Sequence, residues 1–291
     1  MFAVALKTDP GSPPTYVLSD TDAAARLEIV PERGGLVTRW QVEGQDIFYF
    51  DSDRFANPEL SVRGGIPILF PICGNLPDNQ YRLDDETYSL KQHGFARDLP
   101  WQVTQQTVDN AAGLTLELTS SKATLAQYPF DFKLAFTFRL SGHILELQQR
   151  FTNLADRPMP FSTGLHPYFL ATDKPQLAFE IPATEYRNHL TGGVESFGGS
   201  FDFAQAEIDL AFQNLTAPAA TVTDHHLGRR LTLSWSSDYT KLVFWTVKGK
   251  DYYCLEPWTA PRNALNTGEN LLSIDPQQTL ETNVRMAVAF L

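Results

Sequence analysis

The sequence is poor in cysteine and has no long hydrophobic run, and each scarcity excludes a class of protein. Only Cys73 and Cys254 occur among the 291 residues. Both lie in apolar runs, which predicts buried thiols rather than a disulfide or a metal-binding pair. No stretch approaches the roughly 20 continuous apolar residues of a membrane span. Met1–Lys7 has too short an apolar run and no basic start for a signal peptide, so we expect a cytoplasmic protein.

Positive charge is also scarce. Lysine and arginine number 23 against 34 aspartates and glutamates, which gives a net charge of −11. A surface of this sign repels nucleic-acid phosphates and anionic membranes, so we expect neither as a partner. An acidic protein can still hold a small anion in a local arginine pocket, which leaves a small molecule as the expected partner. The sequence does not indicate the oligomeric state.

Several chemical signatures are absent from the sequence. It contains no glycine-rich phosphate loop, no paired-cysteine metal spacing and no serine at a nucleophile elbow. His225 and His226 are adjacent, but neighbouring side chains generally diverge, which favours a solvated turn over a metal site. We therefore expect neither a metal ion nor a cofactor.

Sustained helical periodicity is missing, whereas strand alternation is strong. Phe132, Phe136 and Leu140 fall on one face of a run whose other face carries Lys133 and Arg139. Further apolar runs with strand character are Arg26–Val30, Leu36–Val42, Ile47–Phe50, Leu231–Trp235, Leu242–Val247 and Tyr252–Leu255. Because such runs cover the whole length without a linker, we predict an all-β sandwich of large antiparallel sheets, with residues 1–291 in a single domain.

The segment 51–97 interrupts the strands with Pro, Gly, Asn and Asp, and long irregular segments usually carry function. Arg63 precedes two glycines and is placed to hydrogen-bond a sugar hydroxyl or a phosphate. A salt bridge that stabilises the loop is an equal alternative for this arginine. His93 and Arg97 flank Gly94 at the end of the segment, which suits the mouth of a cleft, although His93 could be purely structural.

Two titratable residues stand at strand ends. Pro167 pushes the backbone of His166 out of the helical region, which holds the imidazole stiffly between aromatic residues. Glu256 follows an apolar strand and precedes Pro257, where burial would raise the pKa of the carboxyl group and suit it to act as a general base. Each residue alone could be structural. Together they supply an acid and a base at two strand ends of one sandwich.

Four motifs, taken in order, resemble those of the aldose 1-epimerase (mutarotase) superfamily. They are Arg63-Gly-Gly-Ile-Pro67, Gln92-His-Gly-Phe-Ala-Arg97, Gly164-Leu-His-Pro-Tyr168 and Leu255-Glu-Pro-Trp258. The resemblance covers nearly the whole chain, from about Leu27 onward. It implies a galactose mutarotase-like β-supersandwich with a sugar site in a cleft on one sheet. It also implies an isomerase that interconverts the α and β anomers of a hexose without a cofactor.

The resemblance implies roles for individual residues. His166 matches the family's general acid, which as imidazolium would protonate the ring oxygen, and Glu256 matches its general base. His93 matches a substrate-binding histidine, and Asp209 resembles an acidic residue that binds sugar hydroxyls. The sugar is expected to stack on an aromatic face, for which the candidates are Trp258, Phe95 and Tyr168.

Two features leave the identity of the sugar open. Galactose mutarotases have Asn-Arg after the proline-rich run, whereas this chain has Gly74-Asn-Leu76, so Asn75 is the candidate sugar contact there. Arg63 and Arg97 instead resemble the hexose-6-phosphate 1-epimerase branch, where arginines gather round the phosphate. A free aldose and glucose 6-phosphate both stay open as substrates. A non-catalytic carbohydrate-binding protein of the same fold is the third alternative.

Overall fold

Strands dominate the computed structural model, which describes residues 1–57 and 60–291. In chain order, the first strands are β1 Phe2–Lys7, β2 Thr15–Asp20, β3 Ala25–Val30, β4 Leu36–Val42, β5 Gln45–Asp46, β6 Ile68–Leu69, β7 Gln80–Leu83, β8 Glu86–Ser89, β9 Gln102–Thr107, β10 Ala112–Thr119, β11 Phe132–Ser141 and β12 Ile144–Asn153. The later strands are β13 Met159–Phe161, β14 Gly164–Leu165, β15 Tyr168–Leu170, β16 Leu177–Glu180, β17 Glu185–Asn188, β18 Val194–Ser196, β19 Glu207–Phe212, β20 Ala219–Asp224, β21 Arg229–Trp235, β22 Lys241–Val247, β23 Tyr252–Trp258, β24 Leu272–Ile274 and β25 Thr279–Phe290.

The helices are short. They are α1 Ser52–Ala56, α2 Lys122–Leu125 and α3 Ala264–Thr267, with 3-10 turns at Pro77–Asn79, Ala96–Asp98 and Lys174–Gln176. Across the two described ranges, no helix is long and apolar enough to cross a membrane.

Two large antiparallel sheets form the body of the protein. The first has the strand order β16-β20-β21-β25-β12-β11-β10-β9, and the second has the order β18-β17-β19-β22-β23-β14-β6, with β15 also paired to β23. A five-stranded sheet contains β1 to β5 in sequence order, and two small ladders pair β13 with β24 and β7 with β8. The prediction of an all-β fold built from large antiparallel sheets is confirmed.

The alternation in β11 shows how the sequence builds the core. Phe132, Leu134, Phe136 and Phe138 are buried, while the residues that alternate with them are partly exposed. Phe132 packs against Phe70 with ring centroids 5.1 Å apart, and Phe70 packs against Phe151 of β12 at 6.2 Å. Each fully buried phenylalanine stabilises the fold by roughly 1.5–3 kcal/mol relative to an exposed one. Since Phe70 directly follows β6 of the second large sheet, these contacts join the two large sheets.

The run Ile47–Phe50 does not form the regular strand that its composition predicts. Its backbone makes isolated bridges instead, from Phe48 to Phe169 and from Phe50 to Gly64. The reason is that consecutive donors point to different sheets: the Ile47 N–H donates to β4, whereas the Tyr49 N–H donates to β15. A segment that passes from one sheet to another cannot keep one continuous ladder.

Candidate active site

A cleft of about 280 Å³ opens on the second large sheet, beside the irregular segment that the sequence singled out. Six residues that the motifs predicted line its wall: Arg63, His93, Arg97, His166, Asp209 and Glu256. They come from the irregular segment, from the β14–β15 connection, and from β19 and β23. The fold therefore brings together polar residues that are far apart in the sequence.

Strand β23 places Glu256 in the cleft. Side chains alternate along the strand, so Tyr253 and Leu255 pack in the core while Glu256 and Trp258 line the cleft. Glu256 is 1% exposed, and its Oε2 accepts a hydrogen bond from Trp258 Nε1 at 3.1 Å. Burial raises the pKa of Glu256 well above its ordinary value, and the negative charge of Asp209 adds to the rise.

The turn between β14 and β15 places His166 against Glu256. The His166 backbone N–H donates to the Pro67 carbonyl at 3.0 Å, and its ring stacks on Tyr168 with centroids 4.8 Å apart. Its Nε2 lies 3.4 Å from Glu256 Oε1. Burial, and to a smaller extent the nearby positive charge of Arg97, lower the pKa of His166 to about 3. An imidazole and a carboxyl group are thus in near contact inside a desolvated site.

The two pKa shifts decide where the proton of this pair resides. Burial disfavours the charged form of both groups: it lowers the pKa of His166 to about 3 and raises the pKa of Glu256, so it favours a neutral imidazole and a protonated carboxyl group. The imidazolium that the resemblance implies for His166 is the form that burial disfavours in the unliganded cleft. The pair shares one transferable proton, which can pass between Oε1 and Nε2.

His93 is fixed by the loop that contains Gly74. The His93 backbone N–H donates to the Gly74 carbonyl at 2.7 Å, and the Gly74 N–H donates to His93 Nδ1 at 3.1 Å. Because Nδ1 accepts, the proton of the neutral ring lies on Nε2. Burial lowers the pKa of His93 well below its ordinary value, so the ring offers an N–H donor without a charge. The next residue, Gly94, has φ +70°, and a Cβ at this position would lie 2.2 Å from the carbonyl oxygen of Phe70. Both the backbone conformation and the close approach require a glycine directly after His93.

Arg63 and Arg97 both line the cleft. Arg63 donates to the hydroxyl of Tyr252 at 3.3 Å and lies 4.8 Å from the ring centroid of Trp245. Arg97 donates to the Gln92 carbonyl at 2.9 Å. Neither arginine makes an ion pair with a carboxylate within residues 1–57 and 60–291. The loop-stabilising salt bridge considered for Arg63 is thus not seen in the described part of the chain.

Asp209 of β19 is held from two sides. Its Oδ1 lies 2.8 Å from His189 Nδ1, and its Oδ2 accepts from Arg262 NH2 at 2.6 Å. Burial alone would raise the pKa of Asp209, but the His189 hydrogen bond and the charge of Arg262 outweigh it and lower the pKa. The ionised form of Asp209 is therefore favoured, whereas burial favours the protonated form of Glu256 in the same cleft.

Two predicted contacts lie elsewhere. Asn75 is exposed and lies outside the cleft lining, because its backbone turns away and its carbonyl accepts from the Asn263 N–H at 3.2 Å. Phe95 is a core residue whose ring packs on Phe70 and Phe132. It cannot serve as a stacking face for a sugar, whereas the other two aromatic candidates, Trp258 and Tyr168, do line the cleft.

The structure also adds residues that the motifs missed. Arg262 and Trp245 line the cleft, and His189 supports Asp209 from behind. Trp245 pairs with Cys254 across β22 and β23, so a correct strand pairing would have placed it beside Glu256. Arg262 follows Glu256 by six positions, in the loop just after the same strand, and this proximity was the available signal.

The two cysteines are buried and free, as predicted. Cys254 lies behind the cleft, with its sulfur and the ligand atoms of His166 and Glu256 all within 4.8 Å of one another. Burial raises the pKa of the Cys254 thiol well above its ordinary value, which keeps it protonated.

Comparisons with known proteins identify the family and the fold. The sequence model of the family described as aldose 1-epimerase matches residues 16–286. The crystal structure of the Slr1438 protein from Synechocystis sp. PCC 6803 is 47% identical, with a TM-score of 0.95 and full coverage of both chains (100% and 100%). A galactose mutarotase-like protein from Clostridium acetobutylicum shares the fold, with a TM-score of 0.84 at 19% identity over 100% of this chain and 99% of that one. A Cenchrus ciliaris protein provisionally named glucose-6-phosphate 1-epimerase is 24% identical over 94% of this chain and 81% of its own length.

Proposed function

The chain belongs to the aldose 1-epimerase family, and from that premise we propose that it interconverts the α and β anomers of a hexose. The observation that carries the proposal is the contact of His166 Nε2 with Glu256 Oε1 at 3.4 Å in the wall of a small polar cleft. The anomeric hydroxyl and the ring oxygen of a hexose are bonded to the same carbon. An acid and a base in near contact can therefore serve both oxygens at once.

The proposed reaction is a ring opening followed by closure. Passage of the shared proton from Glu256 to His166 creates a carboxylate and an imidazolium, and Arg97 and Arg262 favour the carboxylate form. Glu256 then takes the proton of the anomeric hydroxyl while His166 protonates the ring oxygen, and the C1–O5 bond breaks to give the free aldehyde. Rotation about C1–C2 and attack by the O5 hydroxyl on the other face give the other anomer. Each positioned acid or base contributes a factor of roughly 10²–10⁴.

The rest of the cleft supplies the sugar contacts in this proposal. His93 Nε2–H donates a hydrogen bond, and Asp209 accepts one from a hydroxyl. Trp258 and Tyr168 offer aromatic faces in the lining. The partner is therefore a small sugar or sugar phosphate, and we propose that the protein acts in the cytoplasm.

A hexose 6-phosphate is the second candidate substrate. Arg63 and Arg97 support it, because both line the cleft and neither has a carboxylate partner among the residues that the structure describes. A dianionic phosphate would satisfy both guanidinium groups. Replacing either arginine by Ala should then reduce kcat/KM for glucose 6-phosphate at least about tenfold more than for glucose, since hydrogen bonds to charged groups are worth about 1.5–3 kcal/mol. Equal effects on both sugars would assign the arginines a structural role.

The experiment that tests the reaction itself is an NMR exchange measurement of anomer interconversion. Glucose, galactose and glucose 6-phosphate are each compared with and without the enzyme in the same buffer. Acceleration of one or more of them is the expected result. If all three interconvert at the buffer rate while still binding in the cleft, the protein is a non-catalytic carbohydrate-binding member of the fold.

A further inference from the structure

Arg262 lines the cleft although no motif pointed to it. Its NH2 donates to Asp209 Oδ2 at 2.6 Å, and its side chain is 28% exposed. Its Nε is buried and has no hydrogen-bond acceptor among the described residues. A guanidinium carries several N–H donors and no acceptor, so the contact with Asp209 leaves donors unused. A cation in the wall of the cleft thus has hydrogen bonds to offer a ligand.

The position of Arg262 depends on Gly74. A Cβ at position 74 would lie 2.3 Å from Arg262 Cγ, so the stem of the arginine crosses directly over the glycine. The two loops are also joined through the backbone, because the Asn263 N–H donates to the Asn75 carbonyl at 3.2 Å. Gly74-Asn-Leu76 has no arginine of its own, and the side chain from the other loop occupies the space above it.

We propose that Arg262, together with Asp209, selects the hexose by binding one of its hydroxyl groups remote from C1. A hydroxyl both donates and accepts, Asp209 only accepts, and Arg262 only donates, so the pair is complementary to one hydroxyl group. The reacting C1 is placed at His166 and Glu256, which leaves a hydroxyl further round the ring for this pair. The inference rests on the proposed function insofar as it takes a hexose as the ligand.

The experiment compares wild type with Arg262→Ala and Arg262→Lys on the hexose with the highest activity and on its single-deoxy analogues. Sugar affinity is measured by calorimetry and kcat/KM by NMR exchange. Arg262→Ala should weaken binding of the parent hexose about 10–100-fold, since hydrogen bonds involving a charged group are worth about 1.5–3 kcal/mol. It should leave the affinity for one analogue, which lacks the contacted hydroxyl, within about twofold of wild type. Arg262→Lys should keep the positive charge beside Asp209. It should recover only part of the difference in affinity between the parent hexose and the analogue that lacks the contacted hydroxyl.

Arg230→Ala is the matched control. It removes an arginine that is also paired with a carboxylate, Glu180, at 3.0 Å but is exposed outside the cleft, and it should not change any of the affinities. A loss of equal size on the parent and on every analogue would overturn the inference, because it would mark Arg262 as structural. Failure of the proposed function looks different: wild type would then bind the hexose selectively without accelerating interconversion. Absence of saturable hexose binding in wild type would overturn both.

Gly74→Ala provides a second, independent variant. The added Cβ displaces the stem of Arg262, so the parent hexose should lose affinity in the wild-type background. The positive φ of +70° at Gly74 strains an alanine in both backgrounds, so discrimination between the parent hexose and its analogues is the quantity to compare. In the Arg262→Ala background the same change should have little further effect on discrimination, because the displaced side chain is already gone. Fully additive effects would contradict the dependence of Arg262 on Gly74.

Discussion

Two histidine–carboxylate pairs at the cleft have carboxyl pKa values that are shifted in opposite directions. His166 and Glu256 lie 3.4 Å apart, and burial raises the pKa of the carboxyl group. His189 and Asp209 lie 2.8 Å apart, yet the pKa of Asp209 is lowered. The difference lies in the partners: Asp209 is hydrogen-bonded to His189 and in contact with Arg262, whereas among the described residues Glu256 accepts a hydrogen bond only from the indole N–H of Trp258.

The comparison teaches how one site can hold both a mobile proton and a fixed charge. A carboxylate bound by a cation and a histidine has a lowered pKa, which suits it to binding as a fixed charge. A carboxyl group that is desolvated without a cation in contact has a raised pKa, which suits it to proton transfer. The catalytic and binding assignments proposed here follow from this division. Four experiments test it.

The largest effect is expected when the His166–Glu256 pair, which shares the transferable proton, is broken. Glu256→Gln or His166→Asn should reduce the rate of anomer interconversion by about 10²–10⁴-fold, because each removes one proton carrier. Sugar affinity should change little, and both variants should keep the native fold. The rate is measured by NMR exchange and the affinity by calorimetry, with the exposed Glu180→Gln as the control for loss of a carboxylate. Retention of full activity in either variant would remove the proposed mechanism.

A smaller effect, on sugar affinity rather than on the maximal rate, is expected when the His189–Asp209 pair is broken. Asp209→Asn removes the charge that Arg262 and His189 hold, so sugar affinity should fall about tenfold or more through loss of a charge-assisted hydrogen bond. The maximal rate should fall less, because the shared proton of the other pair is untouched. Separate measurement of kcat and KM distinguishes the two. A large fall in kcat with unchanged KM would place Asp209 in proton transfer instead.

The pH profile sharpens the comparison. The first pair works with one proton, and His166 takes up a second only near pH 3, where its lowered pKa lies. The remaining proton is lost as the pH rises through the raised pKa of Glu256. For a neutral hexose, kcat/KM corrected for the buffer rate should therefore show no acid limb near the ordinary histidine value and should fall as the pH rises through the raised pKa of Glu256. An acid limb centred at 6.5, the ordinary value for histidine, would contradict the assignment.

The smallest effect is on stability, and its sign differs between the two carboxylates. The folded pKa of Glu256 lies above its ordinary 4.5, so its stabilising contribution is present below that pH and is lost as the pH rises. Glu256→Gln should thus raise Tm relative to wild type increasingly above pH 4.5. The folded pKa of Asp209 is lowered, so its contribution is present at neutral pH, and Asp209→Asn should lower Tm by about 2–4 °C per kcal/mol lost. Thermal unfolding at several pH values measures both changes in Tm. If the two variants change Tm in the same direction, the proposed contrast between Glu256 and Asp209 is wrong.

Local patterns predicted much of this molecule. The alternation from Phe132 to Leu140 predicted β11, because the two-residue period of a strand is visible in consecutive residues of the sequence. His166 and Glu256 stood out because a buried titratable group at a strand end is rare enough to notice. Both do lie together in the cleft.

Long-range geometry was beyond local patterns. The contact of Arg262 with Asp209 joins residues 53 positions apart, and no local signal specifies it. The run Ile47–Phe50 failed as a strand for the same reason, since its partners belong to different sheets. The protonation of His166 also required the structure, because burial and the positions of Arg97 and Arg63 set its pKa.

The hydrogen bonds that tie the cleft loops to one another have a kinetic consequence. Main-chain bonds link His93 to Gly74, Asn263 to Asn75, and Thr259 to Thr163, so the loops that carry the sugar contacts are braced before any ligand arrives. A site of this kind has little conformational entropy to lose on binding. Association should then proceed without a slow isomerisation, and either anomer should enter and leave through the same preformed opening. Equal access for both anomers suits the proposed interconversion, which runs in both directions between two anomers of nearly equal free energy.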